Sequence, residues 1–394
     1  MTAQEYKAPD SVGRLQRSAL IAGGFAVLLC IFAALKSPQI FYPSYLMGYL
    51  LILGFALGSL GLLMLQHLTS GQWGIVIRRP LESATRTLPL LAVLFLPIVF
   101  GMKYLYGAWL DPERVREEPL SAMQQGYLTA HGFYVRAVIY FVVWIGLMLI
   151  FNYWSREQDI RRDDRLLRRR FKLLAGPGII LYVFVMTFAA IDWAMSITPH
   201  WASTIYGFLF VAGQLISSMA LMIAIVVLLS RTAPMAGLIH KRHIHDLGKF
   251  LLTFILLWAY FSFSQLLIIW AGNQPEEITF YRSRLYGGWG AVAVVVLIFH
   301  FFVPFFLLLS RDLKRNPRLL PMVAIWMIFM RLVDLFWITR PEFTVRAFPT
   351  WIDIVVPVAL VGLWLGYFAF NLQKMPLLPL GDPHLPEAIA QHEH

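Results

Sequence analysis

Four ionisable side chains sit inside stretches that are otherwise apolar: Asp192 in FAAIDWAMSITPHWAST, His300 in HFFVPFFLLLSRDLKR, and Arg331 and Asp334 in MRLVDLFWITRP. Carboxylates and imidazoles take up and release protons, and an arginine beside a carboxylate holds it ionised. Arg331 precedes Asp334 by three residues, so the two share one face of a helix. Asp192 has no cation at such spacing, and a proton-loading role is therefore expected of it rather than of Asp334. His67 ends one apolar stretch, Gln214 lies within another, and Asp353 opens a third. Tyr260, Ser262, Ser264 and Gln265 share a fourth. Hydroxyls and amides relay protons, order water or join helices. By depth, His67 and His300 fall on one side, Gln214 near the centre, and Asp192, Asp334 and Asp353 toward the other side. That order of groups is a candidate proton path, with Tyr260, Gln265 and Arg331 as further members. His131, Arg136, Lys103 and Tyr104 lie near an end of the apolar stretches and need no special function. Trp193, Trp201 and Tyr206 could clasp an aromatic ring, with Asp192 accepting its proton.

The elements that position these groups are membrane spans. The chain has 394 residues, 59% hydrophobic and 14% charged, against about 25% charged in a soluble domain. Runs of the length needed to cross a hydrocarbon core recur throughout. They predict ten transmembrane helices, near 18–35, 42–67, 88–106, 135–153, 176–197, 205–229, 250–269, 287–309, 319–338 and 352–372. The first is read as an anchor rather than a cleaved leader. With the N-terminus in the cytoplasm, 23 Lys and Arg fall on the cytoplasmic side and 9 on the outer side, Arg331 lying within a span. This asymmetry predicts both termini inside. It also explains the net charge of +11 without nucleic acid. The run SREQDIRRDDRLLRRRFK is the strongest topology signal and touches anionic lipid.

Two segments read as copies. SYLMGYLLILGFALGS aligns with STIYGFLFVAGQLISS, placing Ser44, Gly48 and Gly54 on Ser203, Gly207 and Gly213. IDWAMSITP and VDLFWITRP each carry an aspartate seven residues before a proline. The expected fold is thus an all-α polytopic membrane protein: two parallel-repeat four-helix bundles plus two extra helices. Its divisions are a cytoplasmic tail 1–17, a first helix 18–36, bundles 37–198 and 199–341, a tenth helix 342–373 and a cytoplasmic tail 374–394. Gly54, Gly58 and Gly61 are spaced for close helix packing.

Some chemistry is excluded. Cys30 is the single cysteine, so the chain can form no internal disulfide and cannot hold an iron–sulfur cluster alone. A b-type haem needs two histidines at one depth; His67 and His300 are the candidates and their depths differ. There is no nucleotide loop, zinc spacing or nucleophile elbow. We expect no cofactor and no metal in this chain.

The stretches DWAMSITPHWASTIYG, FSQLLIIWAGNQPEE, HFFVPFFLLLSRDLKR and MRLVDLFWITRP resemble the ActF-type subunit of alternative complex III, a bacterial quinol:electron-acceptor oxidoreductase. The resemblance extends from about Ser37 to Gln373 and includes similarity to NrfD/PsrC membrane subunits. It implies a cofactor-free subunit in the bacterial inner membrane, multi-pass, that scaffolds the complex and offers a proton path. It also implies partners: subunits carrying haem c and iron–sulfur clusters, and a paralogous ten-helix quinol-binding subunit of the ActC type. Asp192, His300, Arg331 and Asp334 match family-like polar positions. Two alternatives remain: that this chain is itself the quinol-binding subunit, and that it is a stand-alone secondary transporter.

Overall fold

The computed structural model describes residues 5–161 and 165–389. The ends of both tails, and residues 162–164 of the basic run, lie outside the described residues. All regular elements among the described residues are helices.

Ten helices are long and apolar enough to cross a membrane: Asp10–Lys36, Pro38–Thr69, Arg78–Phe100, Ala130–Ile160, Arg165–Ile197, Tyr206–Leu229, Lys241–Gly272, Trp289–Leu309, Leu319–Thr339 and Trp351–Gln373. They are numbered spans one to ten. Each matches an expected run, and most are longer, because the helices continue through polar turns that hydropathy cannot count. Span three differs most. Expected as one helix beginning at Leu88, it begins at Arg78 and is broken into short helical pieces, which continue past its end to Leu110. Pro89, Pro97 and Gly101 lie at or near the breaks, where proline withholds a backbone donor.

Span two is buried along its central 18 residues. It packs against spans one, three, five, six, nine and ten. Spans two to five close a ring of neighbours, two on three, three on four, four on five and five on two. Spans six to nine close another in the same order. The rings meet where span two lies on span six, with span five on six and span nine on two.

Small residues set these approaches. A methyl added to Gly58 would strike the Gln214 carbonyl and the Ser218 side chain of span six. Gly23 and Gly362 bring the backbones of spans one and ten together in the same way. Between lipid-solvated helices such closeness supplies the attraction that the hydrophobic effect does not.

The C-terminal segment after span ten folds back instead of trailing as a free tail. Leu377 N–H donates to the Tyr6 carbonyl at 2.8 Å, placing both chain ends on one face, and Asp382 pairs with Arg78 at 2.7 Å. This face is called the terminal face below.

Candidate functional site

Asp192 is 1% exposed, near the end of span five farthest from the terminal face. Its cation is Arg136 of span four, which donates through Nε and Nη2 at 2.8 Å each to the two carboxylate oxygens. Tyr140, one turn along span four, donates its hydroxyl at 2.5 Å. The expectation that Asp192 stands without a cation is therefore corrected. The partner is 56 residues away in sequence, and a search of helix-local spacings cannot reach it. Arg136 is accordingly more than an interfacial residue. Its guanidinium also lies 3.9 Å from the centre of the Tyr127 ring. Burial, and then the Asp192 charge, push the Tyr127 phenol up to about 12, so it stays protonated at neutral pH.

Asp334 pairs with Arg331 across one helical turn, as the spacing predicts, and both are buried. Arg331 lies over Gly213 of span six, whose lack of a side chain leaves room for the guanidinium. His300 is fully buried, and neither of its ring nitrogens has a hydrogen-bond partner. The Trp258 ring stands edge-on to it at 4.3 Å. His300 sits in a π-helical turn, Leu297–Phe302, just before Pro304. Such turns widen the helix locally and recur at functional positions.

Where the two rings meet, the Tyr182 hydroxyl of span five donates to Gln214 Oε1 of span six at 2.7 Å, and Ser59 of span two bonds Ser218 of span six at 2.8 Å. His67 ends span two, its ring stacked on Phe171 at 4.0 Å, and Nε2 has no partner. Gln265 accepts from Ser203 at 3.0 Å, away from this line. Tyr260 is 63% exposed and lines the cavity of the second bundle described below, apart from the buried groups of span two and span five. Asp353 is a structural acid. It caps its own helix through Thr350, accepts from Ser44 at 2.7 Å and pairs with Arg340 at 3.1 Å.

The aromatic clasp expected around Asp192 does not form. Trp193 is enclosed by Phe95, Phe141, Tyr140 and Trp144, and Trp201 stacks on Phe280 at 3.9 Å. Tyr206 instead lines a cavity of about 640 Å³ in the second bundle, with Asp334, Trp258, Gln265 and Tyr281. Outward-facing Leu266 and Phe302 border it.

A network at the terminal face escaped the sequence reading. Glu82 of span three binds Arg78 at 3.1 Å and Arg79 at 2.7 Å, and accepts from Ser155 of span four at 2.5 Å. Arg78 continues to Gln158 at 2.6 Å, and Arg79 pairs with Asp159. The signal was present in RRPLES, where Glu82 stands three and four residues after two arginines, but the segment precedes the apolar run and reads as a loop. No group of three or more His, Cys, Asp or Glu side chains among the described residues could hold a metal ion. No protein-family model matches the chain, and no curated protein matches it.

Proposed function

We propose that this chain is a membrane subunit of a quinol:electron-acceptor oxidoreductase of the alternative complex III type, in a bacterial cytoplasmic membrane with both termini inside. In this reading it scaffolds the complex and conducts protons through its first bundle. Haem c, iron–sulfur clusters and the quinol belong to partner subunits, including a paralogous ten-helix chain. The motif resemblance supports the membership, and the asymmetry of Lys and Arg supports the orientation.

The observation that carries the proton role is the buried Tyr182–Gln214 hydrogen bond, where the first bundle meets span six. It stands between Asp192, ten residues further along the same helix, and His67 at the terminal end of span two. Beside Asp192 lies an aromatic cluster that includes Trp144 and Trp193, with ring centres 5.8 Å apart. The indole N–H groups of both have no partner. Water entering this cluster would meet those donors. Tyr182→Phe keeps the packing and removes the hydroxyl. We expect it to lower proton translocation by the assembled complex severalfold while electron transfer continues. Unchanged translocation would remove this bond from the path.

The quinol-binding alternative is favoured by one observation, the cavity at Asp334. Its volume of about 640 Å³ lies within the range of about 300–1,000 Å³ typical of small-molecule sites. It is mostly apolar, with a carboxylate and an amide at its wall. A photoreactive quinone should then label the cavity segment of span seven. Labelling confined to a partner subunit would leave the scaffold reading alone.

A further inference from the structure

The terminal face holds a second polar cavity, of about 540 Å³, that neither membrane ion pair explains. Spans two, three and five meet there, and the folded-back C-terminal segment closes one side. Its wall includes Gln66, His67, Arg165, Arg169, Lys172 and Asp382. Arg78 also borders it, but Glu82, Asp382 and Gln158 already occupy that guanidinium. No ion pair ties Arg165, Arg169 or Lys172 to a carboxylate among the described residues. Their positive charge lines the cavity without a paired carboxylate among the described residues.

Two buried groups in the wall need a partner of another kind. Gln66 is 4% exposed and His67 8% exposed, yet Gln66 Oε1 and His67 Nε2 have none. Stacking on Phe171 fixes the His67 ring, so this nitrogen cannot turn away to another neighbour. An amide oxygen accepts a hydrogen bond and gains nothing from an anion alone. Its complement is a hydroxyl. The arginines and lysine call for the anion, since guanidinium groups bind phosphate oxygens through charge-assisted hydrogen bonds.

We propose that this cavity binds a phosphate ester that also carries a hydroxyl group. The phosphate lies against Arg165, Arg169 and Lys172, and the hydroxyl reaches Gln66 and His67. Two sources share that chemistry: the headgroup of an anionic glycerophospholipid, and a free polyol phosphate. Leu173 borders the cavity and is 64% exposed. Ile180 and Phe184, seven and eleven residues on, continue the same exposed helical stripe into the membrane. That stripe gives acyl chains a continuous apolar track leading away from the headgroup site.

The test places the full chain, purified with whatever subunits co-elute with it, in phosphatidylcholine nanodiscs, with and without phosphatidylglycerol, and adds glycerol phosphate as a soluble probe in a third arm. Thermal unfolding and native mass spectrometry read the outcome. We expect a raised Tm and retained phosphatidylglycerol that phosphatidylcholine does not reproduce. Arg165→Gln/Arg169→Gln/Lys172→Gln should abolish both. Gln66→Met, which leaves the charge unchanged, should weaken retention, about tenfold for a loss near 1.4 kcal/mol. Arg311→Gln/Arg315→Gln, on the same face outside the cavity, should have no effect. Saturable stabilisation by glycerol phosphate that competes with the lipid would support the site and assign a soluble ligand. If the Arg311/Arg315 variant loses lipid as readily as the triple variant, or if no probe binds, the proposal is overturned.

Discussion

At the residue scale the two membrane aspartates are both ion-paired, by different means. Asp334 takes its arginine from its own helix, and Asp192 takes one from the helix beside it. A lone charge at mid-membrane costs about 2.5–3.5 kcal/mol on insertion scales. The bidentate geometry at Asp192 and the Tyr140 hydroxyl offset that cost. Removing one member leaves the other buried and unpaired, which costs about 3–5 kcal/mol. Asp192→Asn should therefore destabilise the protein, whereas a purely proton-loading acid would tolerate the change. The double substitution Asp192→Leu/Arg136→Leu should recover most of the loss, because neither charge then remains. Thermal unfolding of the three proteins checks this, and an Asp192→Asn melting curve identical to wild type would refute it. Part of the pair was legible in advance. The spacing of Arg331 and Asp334 sufficed for one acid. For the other, Arg136 and Tyr140 stand four residues apart at the start of the apolar stretch of span four, a polar pair whose partner lies on another helix and is invisible to helix-local spacing.

At the element scale, run length alone locates all ten spans, because lipid demands long apolar helices with internally satisfied backbones. It misplaces what lies at their ends. The RRPLES turn, with Arg78, Arg79 and Glu82, is buried by pairing with Ser155, Gln158, Asp159 and Asp382. Hydropathy sees only its charges. Likewise the segment after span ten reads as a tail because its few apolar residues, Leu377, Leu378 and Leu385, are too scattered to form a run, yet they are buried against the bundle. Small-residue spacing is a better guide, since Gly54 and Gly58 do face span six. Gly58→Leu should force spans two and six apart, with an overpacking cost of about 1–3 kcal/mol. A Cβ added at Gly24 meets nothing within 4 Å, so Gly24→Leu should be close to neutral. Comparing the Tm of the two variants tests whether Gly58 sets the approach; equal values would contradict it.

At the scale of the whole molecule, the paired rings and the contacts of five on six and nine on two form the pattern that a two-fold axis along the membrane normal requires. Ser59 and Ser218, at matching positions of the aligned segments, touch at the line where the rings meet. We propose that spans two to five and six to nine are copies in the same orientation. An experimental structure in which the two sets superpose would support this, and opposed orientations would refute it. The ion pairs break the symmetry: Arg136 and Arg331 occupy different spans relative to their aspartates, so the two halves need not share a role. The central claim, that the chain works inside a redox complex, is tested most directly by affinity purification of the chain from its native membrane, followed by an absorbance spectrum of the eluted material. The account predicts co-eluting subunits with haem c and iron–sulfur absorbance that quinol reduces. A stable, monodisperse single chain without such absorbance would contradict it and return the stand-alone transporter to first place.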